Sequence, residues 1–406
     1  MTTQKRTADG LRTPSGPPGR ELAVICARPP EQNTGMLTVD LAAASVLPRL
    51  FPDHDVRLYI TGELDPTHSY AAANLPFQYL NVFENEARFF GSDKFLFWGD
   101  FFHSRSYYRN DIGAWDGMDA AAQADAFDRQ SRIFFLSDLP EAQLAKAGVF
   151  GTTLITNSAR DLIDAQYKTA FDRFFSNVQM ALFRDAISAS RLQPLRQNQP
   201  TLGCDCAFLL EDTDLEKIEG FKRAATRDGI GLFLRRTPKY DRSLRFARAL
   251  GRELGESVKW LPWFWSRRRL ALQGQFRGID VETAQPSAGE ILSQMSGFRF
   301  IVTDTYHLCI NAWRMGIPAV CIGSALGHQS NSLSDKKKEI LYTMYRAQEF
   351  YLFSEALSDG SKINTAAKAA AGALRNDELV AHVRANMEDH RLASRAQLAT
   401  FAANDN

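Results

Sequence analysis

The stretch Phe300–Gly323 constrains the fold more than any other part of this 406-residue chain. Residues Phe300–Val302 form a short apolar run of the kind that a buried parallel strand requires. The polar residues Thr303–Thr305 can then cap a helix, and apolar residues recur at helical spacing until Gly316–Pro318 ends it. A second apolar run follows at Ala319–Ile322. The pattern predicts a strand–helix–strand unit of a parallel α/β sheet.

This unit places His307 in the first turn of a helix, at the carboxyl end of a strand. Open α/β sheets bind their ligands at this edge, and unpaired helix amides attract anions there. Two interpretations are open: His307 caps its own helix or fills a crevice, or it contacts phosphate or acts in catalysis. The helix N-terminus disfavours added positive charge, so we expect a neutral imidazole that can accept a proton.

The composition indicates a globular chain, with 45% hydrophobic and 23% charged residues and a net charge of +1. That charge gives no reason to expect nucleic acid as a partner, and no apolar run approaches transmembrane length. Residues 1–20 are polar and rich in Gly and Pro, which predicts a disordered tail rather than a signal peptide. Five cysteines suit a reducing cytoplasm. Cys204 and Cys206 lack a second Cys/His pair at metal spacing, so we expect neither a metal nor a cofactor.

Strand-like runs alternate with helical patterns through both halves of the chain. This alternation predicts two Rossmann-like, doubly wound α/β domains that face a cleft. We expect the N-terminal domain over 21–215 and the C-terminal domain over 216–406, with an acidic hinge at 211–219 and Ala-rich terminal helices. One of the predicted strands of the first domain is Arg132–Leu136.

Several residues near predicted strand ends suit the capture of anions. Arg235 and Arg236 follow a buried strand, where arginine can bind phosphate or carboxylate. We favour this role for at least one of the two, and the alternative is a solvated basic helix face. Asn33 and Gly35 occupy a strand-to-helix turn that either binds an anion or only makes a tight connection. Trp263 and the residues after it form a loop that is aromatic and then basic, suited to sugar stacking, to a membrane interface or to partial burial.

Taken in their order along the chain, these motifs resemble those of the polysaccharide pyruvyl transferase family. Members of that family have two Rossmann-like domains in a glycosyltransferase-B-like arrangement. The family's Arg-any-His-Gly motif is similar to Thr305–Leu308, and its Gly-[Val/Ile]-Pro motif to Gly316–Pro318. Further similar segments, in chain order, are Asn33–Met36, Trp98–Asp100, Arg184–Ser188 and Asp205–Leu210. The resemblance extends from about residue 22 to residue 355.

The resemblance implies transfer of a pyruvyl group from phosphoenolpyruvate to a sugar of a bacterial exopolysaccharide or cell-surface glycan, as a ketal. It implies a catalytic His307. An acid must also protonate the enol carbon, and Asp304 and Asp100 are the candidates. The expected donor contacts are Arg235, Arg236, Thr305, Asn33, Gly35, Lys336 and Lys337, and the expected acceptor contacts are Trp263, Trp265 and His328. Thr305 stands where the family has an arginine, so Arg236 or Arg314 is expected to supply that charge.

Two other functions fit the same residues. A glycosyltransferase would place the diphosphate of a nucleotide-sugar, or of a lipid-linked sugar, at the helix that begins near His307. A non-catalytic homologue would bind glycan only, which the threonine at 305 would allow. For either enzyme we expect a saccharide acceptor, either free or lipid-linked, and a cytoplasmic location. The basic segment with Trp263 and Trp265 suggests weak association with the inner membrane face. No oligomeric state is predicted.

Overall fold

Two parallel β-sheets organise the chain. The computed structural model describes residues 20–26, 33–61, 77–105, 119–157, 164–235, 240–264, 279, 286–325 and 334–404. The predicted tail therefore lies outside the described residues, apart from Arg20, which begins the first strand. Arg236, Trp265 and His328 also lie outside them. No helix of the described residues has the length and apolar character that crossing a membrane requires.

The first sheet has six strands in the order β3-β2-β1-β4-β5-β6, and every neighbouring pair is parallel. Its strands are β1 Arg20–Cys26, β2 His54–Ile60, β3 Tyr79–Asn81, β4 Lys94–Trp98, β5 Ala147–Thr152 and β6 Met180–Phe183. Its helices are α1 Thr34–Leu50, α2 Glu86–Phe90, α3 Ala120–Phe134, α4 Glu141–Leu144, α5 Ala165–Asn177 and α6 Ala186–Leu192. A 3-10 turn, Cys206–Leu209, and helix α7, Asp212–Leu215, then lead towards the second sheet.

The second sheet has five strands, all parallel, in the order β11-β10-β9-β7-β8. Its strands are β7 Asp228–Phe233, β8 Val258–Trp260, β9 Phe298–Thr303, β10 Ala319–Gly323 and β11 Tyr351–Phe353. Its helices are α8 Tyr240–Leu254, α9 Ala288–Ser296, α10 Tyr306–Arg314 and α11 Ser334–Met344, and the terminal helices are α12 Gly360–Arg375 and α13 Asp377–Ala403. Short 3-10 turns, Gln348–Phe350 and Ser354–Ala356, flank β11.

The strand orders confirm the predicted pair of Rossmann-like, doubly wound sheets. The order reverses between β1 and β4 in the first sheet and between β7 and β9 in the second. Crevices open at such switch points, beyond the carboxyl ends of the strands, and ligands of this fold class bind there. The predicted unit at Phe300–Gly323 is present as β9, α10 and β10.

The strand predicted at Arg132–Leu136 is wrong. These residues form the last turn of helix α3 and the residues after it, with Leu136 in the left-handed region at φ 47°. A short apolar run cannot by itself distinguish a buried strand from a buried helix segment. Here Phe127, Ile133 and Phe134 are buried at helical spacing on one face, and that spacing decides the structure.

Helix α13 packs against the first sheet, although it follows the second sheet in the chain. Its Phe401 ring lies 5.9 Å from the ring of Phe51, and Gly148 of β5 leaves room for it. The buried Lys94 of β4 donates hydrogen bonds to the carbonyls of Phe401 (3.2 Å), Ala402 (3.1 Å) and Asn404 (2.7 Å). A cation at a helix C-terminus is favourable because the last carbonyls there lack intrahelical partners.

Candidate active site

The two switch points meet around the N-terminus of α1. Asn33 caps this helix, since its Oδ1 accepts hydrogen bonds from the N–H groups of Gly35 (3.1 Å) and Met36 (3.4 Å). The backbone of Asn33 also forms an antiparallel bridge with Phe264, which follows β8. The guanidinium of Arg235 lies 4.0 Å from the ring centroid of Phe264. The structure thus brings three predicted donor residues, Asn33, Gly35 and Arg235, to one cleft between the sheets.

His307 lies in the first turn of α10, directly against α1. A Cβ atom added to Gly35 would lie 2.5 Å from the Cβ of His307 and 3.1 Å from its Nδ1, so only glycine permits this approach. One turn further, the amide of Asn311 donates a hydrogen bond to Thr38 Oγ1 (2.9 Å) across the same helix contact. The N-termini of α1 and α10 therefore sit side by side at the cleft.

The two helix N-termini differ in how they are capped. Asn33 takes up two N–H groups at the start of α1, whereas Thr305 forms no side-chain cap on α10. The Thr305 hydroxyl instead donates to Asp304 Oδ1 (3.3 Å). The first turn of an α-helix leaves N–H groups without intrahelical partners, and these attract anions. The arrangement favours α10 over α1 as the place for a phosphate or carboxylate.

A buried ion pair lies next to the imidazole of His307. Asp205 and Arg184 have side chains that are 1% and 2% exposed, and Arg184 Nη1 donates to Asp205 Oδ2 at 3.0 Å. Burial acts to raise the pKa of Asp205. His307, Arg184 and the N–H of Ala207 outweigh this effect and lower the pKa to about 2. Asp205 is therefore ionised at neutral pH. Its Oδ2 lies 3.6 Å from Nε2 of His307.

The environment of His307 favours the neutral imidazole. Its side chain is 15% exposed, and burial lowers its pKa below the ordinary value. Asp205 opposes that shift, while the positive charges of Arg184 and Lys337 add to it. A neutral imidazole held beside a carboxylate can accept a proton from a hydroxyl, and the carboxylate then stabilises the imidazolium that forms.

Two cations and two rings complete this part of the cleft. The guanidinium of Arg184 lies 5.1 Å from the ring centroid of Tyr306 and 5.6 Å from that of Phe101. Lys337 Nζ, from α11, lies 4.3 Å from Phe101 and 5.7 Å from Tyr306. Arg184 and Lys337 therefore approach the same two rings and place two cations next to His307, where Asp205 pairs with Arg184.

The two predicted acids differ in exposure and in contacts. Asp304 is 2% exposed, and its carboxylate accepts the backbone N–H of Arg235 through both oxygens (2.8 and 3.0 Å). It thus ties the carboxyl ends of β7 and β9 together at the second switch point. Asp100 follows β4 at the first switch point, with left-handed backbone (φ 51°) and partial exposure. Burial acts to lower the pKa of Arg184, and the charge of Asp100 is one of several that raise it.

Other predicted residues lie elsewhere. Lys336 pairs with Glu339 on its own helix (3.2 Å), rather than contacting the rings that Lys337 approaches. Trp263 is 1% exposed and belongs to the hydrophobic core, which corrects its expected role: a buried indole offers no face to a sugar. Arg314 lies at the opposite end of α10 from His307, next to Asp212. It therefore cannot supply the charge of the family arginine at whose position Thr305 stands. Arg184 and Lys337 supply cations beside His307 instead.

Sequence reasoning assigned no role to Arg184 or Asp205. Both residues stood inside segments that the family resemblance singled out, Arg184–Ser188 and Asp205–Leu210. Both residues also lie at the boundary of a short element. Arg184 directly follows β6, and Asp205 caps the 3-10 turn by accepting the N–H of Ala207 (3.0 Å). These two motifs were the features of the sequence that could have pointed to Arg184 and Asp205, and the structure shows that the two residues form the ion pair next to His307.

Comparison with known proteins adds a family and a fold. The model of the polysaccharide pyruvyl transferase family matches residues 78–325. This span contains Asp100, Arg184, Asp205, Arg235 and His307. It begins after the α1 turn and ends before α11. No curated protein sequence matches the chain.

Among solved structures, S. aureus MnaA in a co-structure with UDP has a TM-score of 0.52 at 11% identity, covering 93% of this chain and 95% of that one. A transferase from Siraitia grosvenorii in complex with UDP gives 0.49 at 12% identity, with coverages of 95% and 100%. The UDP-GlcNAc 2-epimerase from Neisseria meningitidis, bound to UDP-GlcNAc, gives 0.48 at 10% identity, with coverages of 92% and 100%. At these identities the likeness concerns the fold, and the first match agrees with the predicted glycosyltransferase-B-like arrangement of two domains.

Proposed function

The chain belongs to the polysaccharide pyruvyl transferase family, and from this premise we propose that it transfers a pyruvyl group from phosphoenolpyruvate to a saccharide as a ketal. One observation carries the proposal: a neutral His307, paired with a buried carboxylate, stands beside two cations and the uncapped start of α10. Phosphoenolpyruvate carries a carboxylate and a phosphate, so its site needs fixed cations and N–H groups.

We assign the donor anions to Lys337 and the first-turn amides of α10, with the charge of the buried Arg184 next to them. Arg235, held over Phe264 on the other wall of the cleft, would complete the site. Arginine and lysine differ in what they offer, since the planar guanidinium can bind a carboxylate through two hydrogen bonds while the ammonium acts as a point charge. In this chain Arg184 and Lys337 take the place of the family arginine that Thr305 replaces.

The proton steps need one acid and one base. Protonation of the methylene carbon of phosphoenolpyruvate makes the methyl group and leaves the adjacent carbon open to attack. A sugar hydroxyl bonds to that carbon and gives its proton to His307. The bond between that carbon and the phosphate oxygen then breaks, and His307 gives its proton to the departing phosphate. A second hydroxyl attacks the same carbon to close the ketal and returns a proton to the carboxylate that acted as the acid, so that the products are the pyruvyl ketal and phosphate. Asp100 is our choice as the acid because it is partly exposed, whereas Asp304 is buried and bonded to the Arg235 backbone.

The experiment is a matched comparison of two histidine variants. His307→Ala should lower turnover by roughly 10²–10⁴ if the imidazole is the base, with little change in melting temperature. His382→Ala removes an exposed histidine of α13 and should leave turnover unchanged. Phosphate release from phosphoenolpyruvate and mass spectrometry of the acceptor glycan report the reaction. Equal turnover of wild type and His307→Ala would refute the assignment of the base.

A nucleotide-sugar donor is the second candidate, because the chain shares its fold with MnaA, which was solved with UDP. Thermal shifts with phosphoenolpyruvate and with UDP-sugars separate the two. A ligand at 100 times its dissociation constant stabilises a protein by about 2.7 kcal/mol. Stabilisation by a UDP-sugar alone would favour the glycosyltransferase. Membrane association and a lipid-linked acceptor rest on the basic segment after Phe264, which lies outside the described residues.

A further inference from the structure

A cavity of about 510 Å³ opens at the end of α10 opposite His307. Its walls come from the segment around Asp212, from the last residues of α10 and from α13. They include Trp313 and Arg314 on α10 and Arg384 and Met387 on α13. Cavities that hold small molecules in proteins span about 300–1,000 Å³ and combine apolar walls with a few charged groups. The volume of this cavity falls in that range, and its lining is more polar, because six of the twelve lining residues are charged.

Arg314 is a buried cation with weak partners. Its side chain is 4% exposed, its Nη1 lies 3.7 Å from Asp212 Oδ1, and its Nη2 donates a long hydrogen bond to Asn311 Oδ1 (3.4 Å). Its Nε has no hydrogen-bond partner within the described part of the chain. Burial lowers the pKa of Arg314 to about 10. A buried charge without close pairing costs free energy, and a bound anion would offset that cost.

The carboxylates of this cavity already have other partners. Glu388 forms a two-pronged pair with Arg391 (2.6 and 2.7 Å), and Glu211 pairs with Arg395 (2.7 Å). Asp212 pairs closely with Arg223.

Two cations of the lining are left in excess. No carboxylate of the described residues lies within ion-pair distance of Arg384, and the pair of Arg314 with Asp212 is long. Arg227 adds a further positive charge nearby, because it donates to the carbonyls of Met315 and Gly316 just beyond α10. The end of the cavity near Arg314 and Arg384 is therefore positively charged.

We propose that this cavity is a second ligand site, which binds a small organic anion: a phosphate or carboxylate on Arg314 and Arg384, with an apolar body against Trp313 and Met387. The site is separate from the donor cleft. Seven residues separate His307 from Arg314 along α10, which is about 10 Å at 1.5 Å per residue. The proposal does not depend on the reaction assigned to His307.

Calorimetric titration of the full chain with phenyl phosphate tests the site, with phenol as the neutral match. Phenyl phosphate should bind and phenol should not. Arg314→Gln should weaken binding by at least about tenfold, because a charge-assisted, forked contact is lost. Since Arg314 is buried and its variant could fail to fold, Arg384→Gln, at an exposed position, provides the second reading and should also weaken binding. Arg245→Gln on α8 removes an equal charge from an exposed ion pair and is the control.

Phenyl phosphate could also enter the donor cleft, so the titration is repeated in Arg184→Gln. Binding that persists in this variant and falls in Arg384→Gln supports the second site. Binding lost in Arg184→Gln and kept in Arg314→Gln would assign the anion to the donor cleft and overturn the proposal. Absence of binding to the wild type at millimolar phenyl phosphate, or equal affinity of Arg384→Gln and Arg245→Gln, would overturn it as well.

Discussion

Replacing Gly35 with alanine tests whether the contact between α1 and α10 sets the position of His307. The new Cβ would lie 2.5 Å from the Cβ of His307 and 3.1 Å from its Cγ and Nδ1. Carbon atoms in favourable contact are about 3.5–4.0 Å apart, so one of the two helices must shift by about 1 Å. The backbone of α1 continues for 17 residues and is almost wholly buried, so His307 and its first turn should move.

The magnitudes separate stability from activity. Alanine stabilises a helix by up to about 1 kcal/mol relative to glycine, while overpacking of a buried contact costs about 1–3 kcal/mol. The net loss in the free energy of unfolding should therefore be about 0–2 kcal/mol. A misplacement of 1 Å in a catalytic group can cost about 10²-fold in rate. We expect a roughly hundredfold fall in kcat/KM of a protein that remains folded.

The assay compares Gly35→Ala with Gly372→Ala. Gly372 lies within α12, and a Cβ atom there would meet nothing within 4 Å. The control therefore receives the helix stabilisation without the clash, so it should be slightly more stable than wild type with unchanged kinetics. Urea unfolding gives the stability of each variant, and phosphate release gives kcat/KM.

Unchanged kcat/KM in Gly35→Ala would refute this reasoning. It would mean either that the imidazole accepts a 1 Å displacement or that His307 does not react. A crystal structure of Gly35→Ala distinguishes the two, because it shows whether the His307 ring has moved.

Three further predictions concern charge. Asp205→Asn should leave the buried Arg184 without its carboxylate and lower the free energy of unfolding by about 3–5 kcal/mol; a smaller loss in urea unfolding would show that other groups hold Arg184. Lys337→Gln should raise the pKa of His307, because Lys337 lowers it, and so move the acid limb of the kcat/KM profile to higher pH; an unmoved limb would contradict this. Burial raises the pKa of Asp40 from its ordinary 3.8 to about 8, so its contribution to stability is present at low pH and is lost as the pH rises through that value. Asp40→Asn should therefore gain stability relative to wild type between about pH 4 and pH 8, and a constant difference in melting temperature would argue against a protonated Asp40.

The sequence was sufficient where the relevant pattern is local. The unit Phe300–Gly323 carries its own strand, cap, helix and stop signals, and it folds as predicted. The position of His307 at a strand's carboxyl end follows from the same local order. The prediction from apolar runs was wrong where the spacing of apolar residues was ambiguous, as at Arg132–Leu136. Four consecutive apolar residues fit a strand or the last turn of a helix equally well.

The contacts that define the site are long-range and could not be derived from spacing. Asp205 follows β6 of the first sheet and His307 follows β9 of the second, and Arg184 reaches Asp205 only because the chain after β6 returns to the cleft. Burial has the same origin: an indole such as that of Trp263 suits a surface or a core, and the surrounding elements decide which. The capping of α1 by Asn33, and its absence on α10, likewise depend on side-chain orientation.

The attachment of Lys94 to the end of α13 has a consequence for how the protein is made. The carbonyl of Asn404 lies 310 residues after Lys94 in the chain. At roughly 5–20 residues per second, about 15–60 s of translation separate the two. Once β6 has ended at Phe183, the first sheet is complete in sequence, yet the ammonium of Lys94 still lacks these acceptors and the surface around Gly148 lacks Phe401. The first sheet should therefore leave the ribosome with this surface exposed until helix α13 has been synthesised.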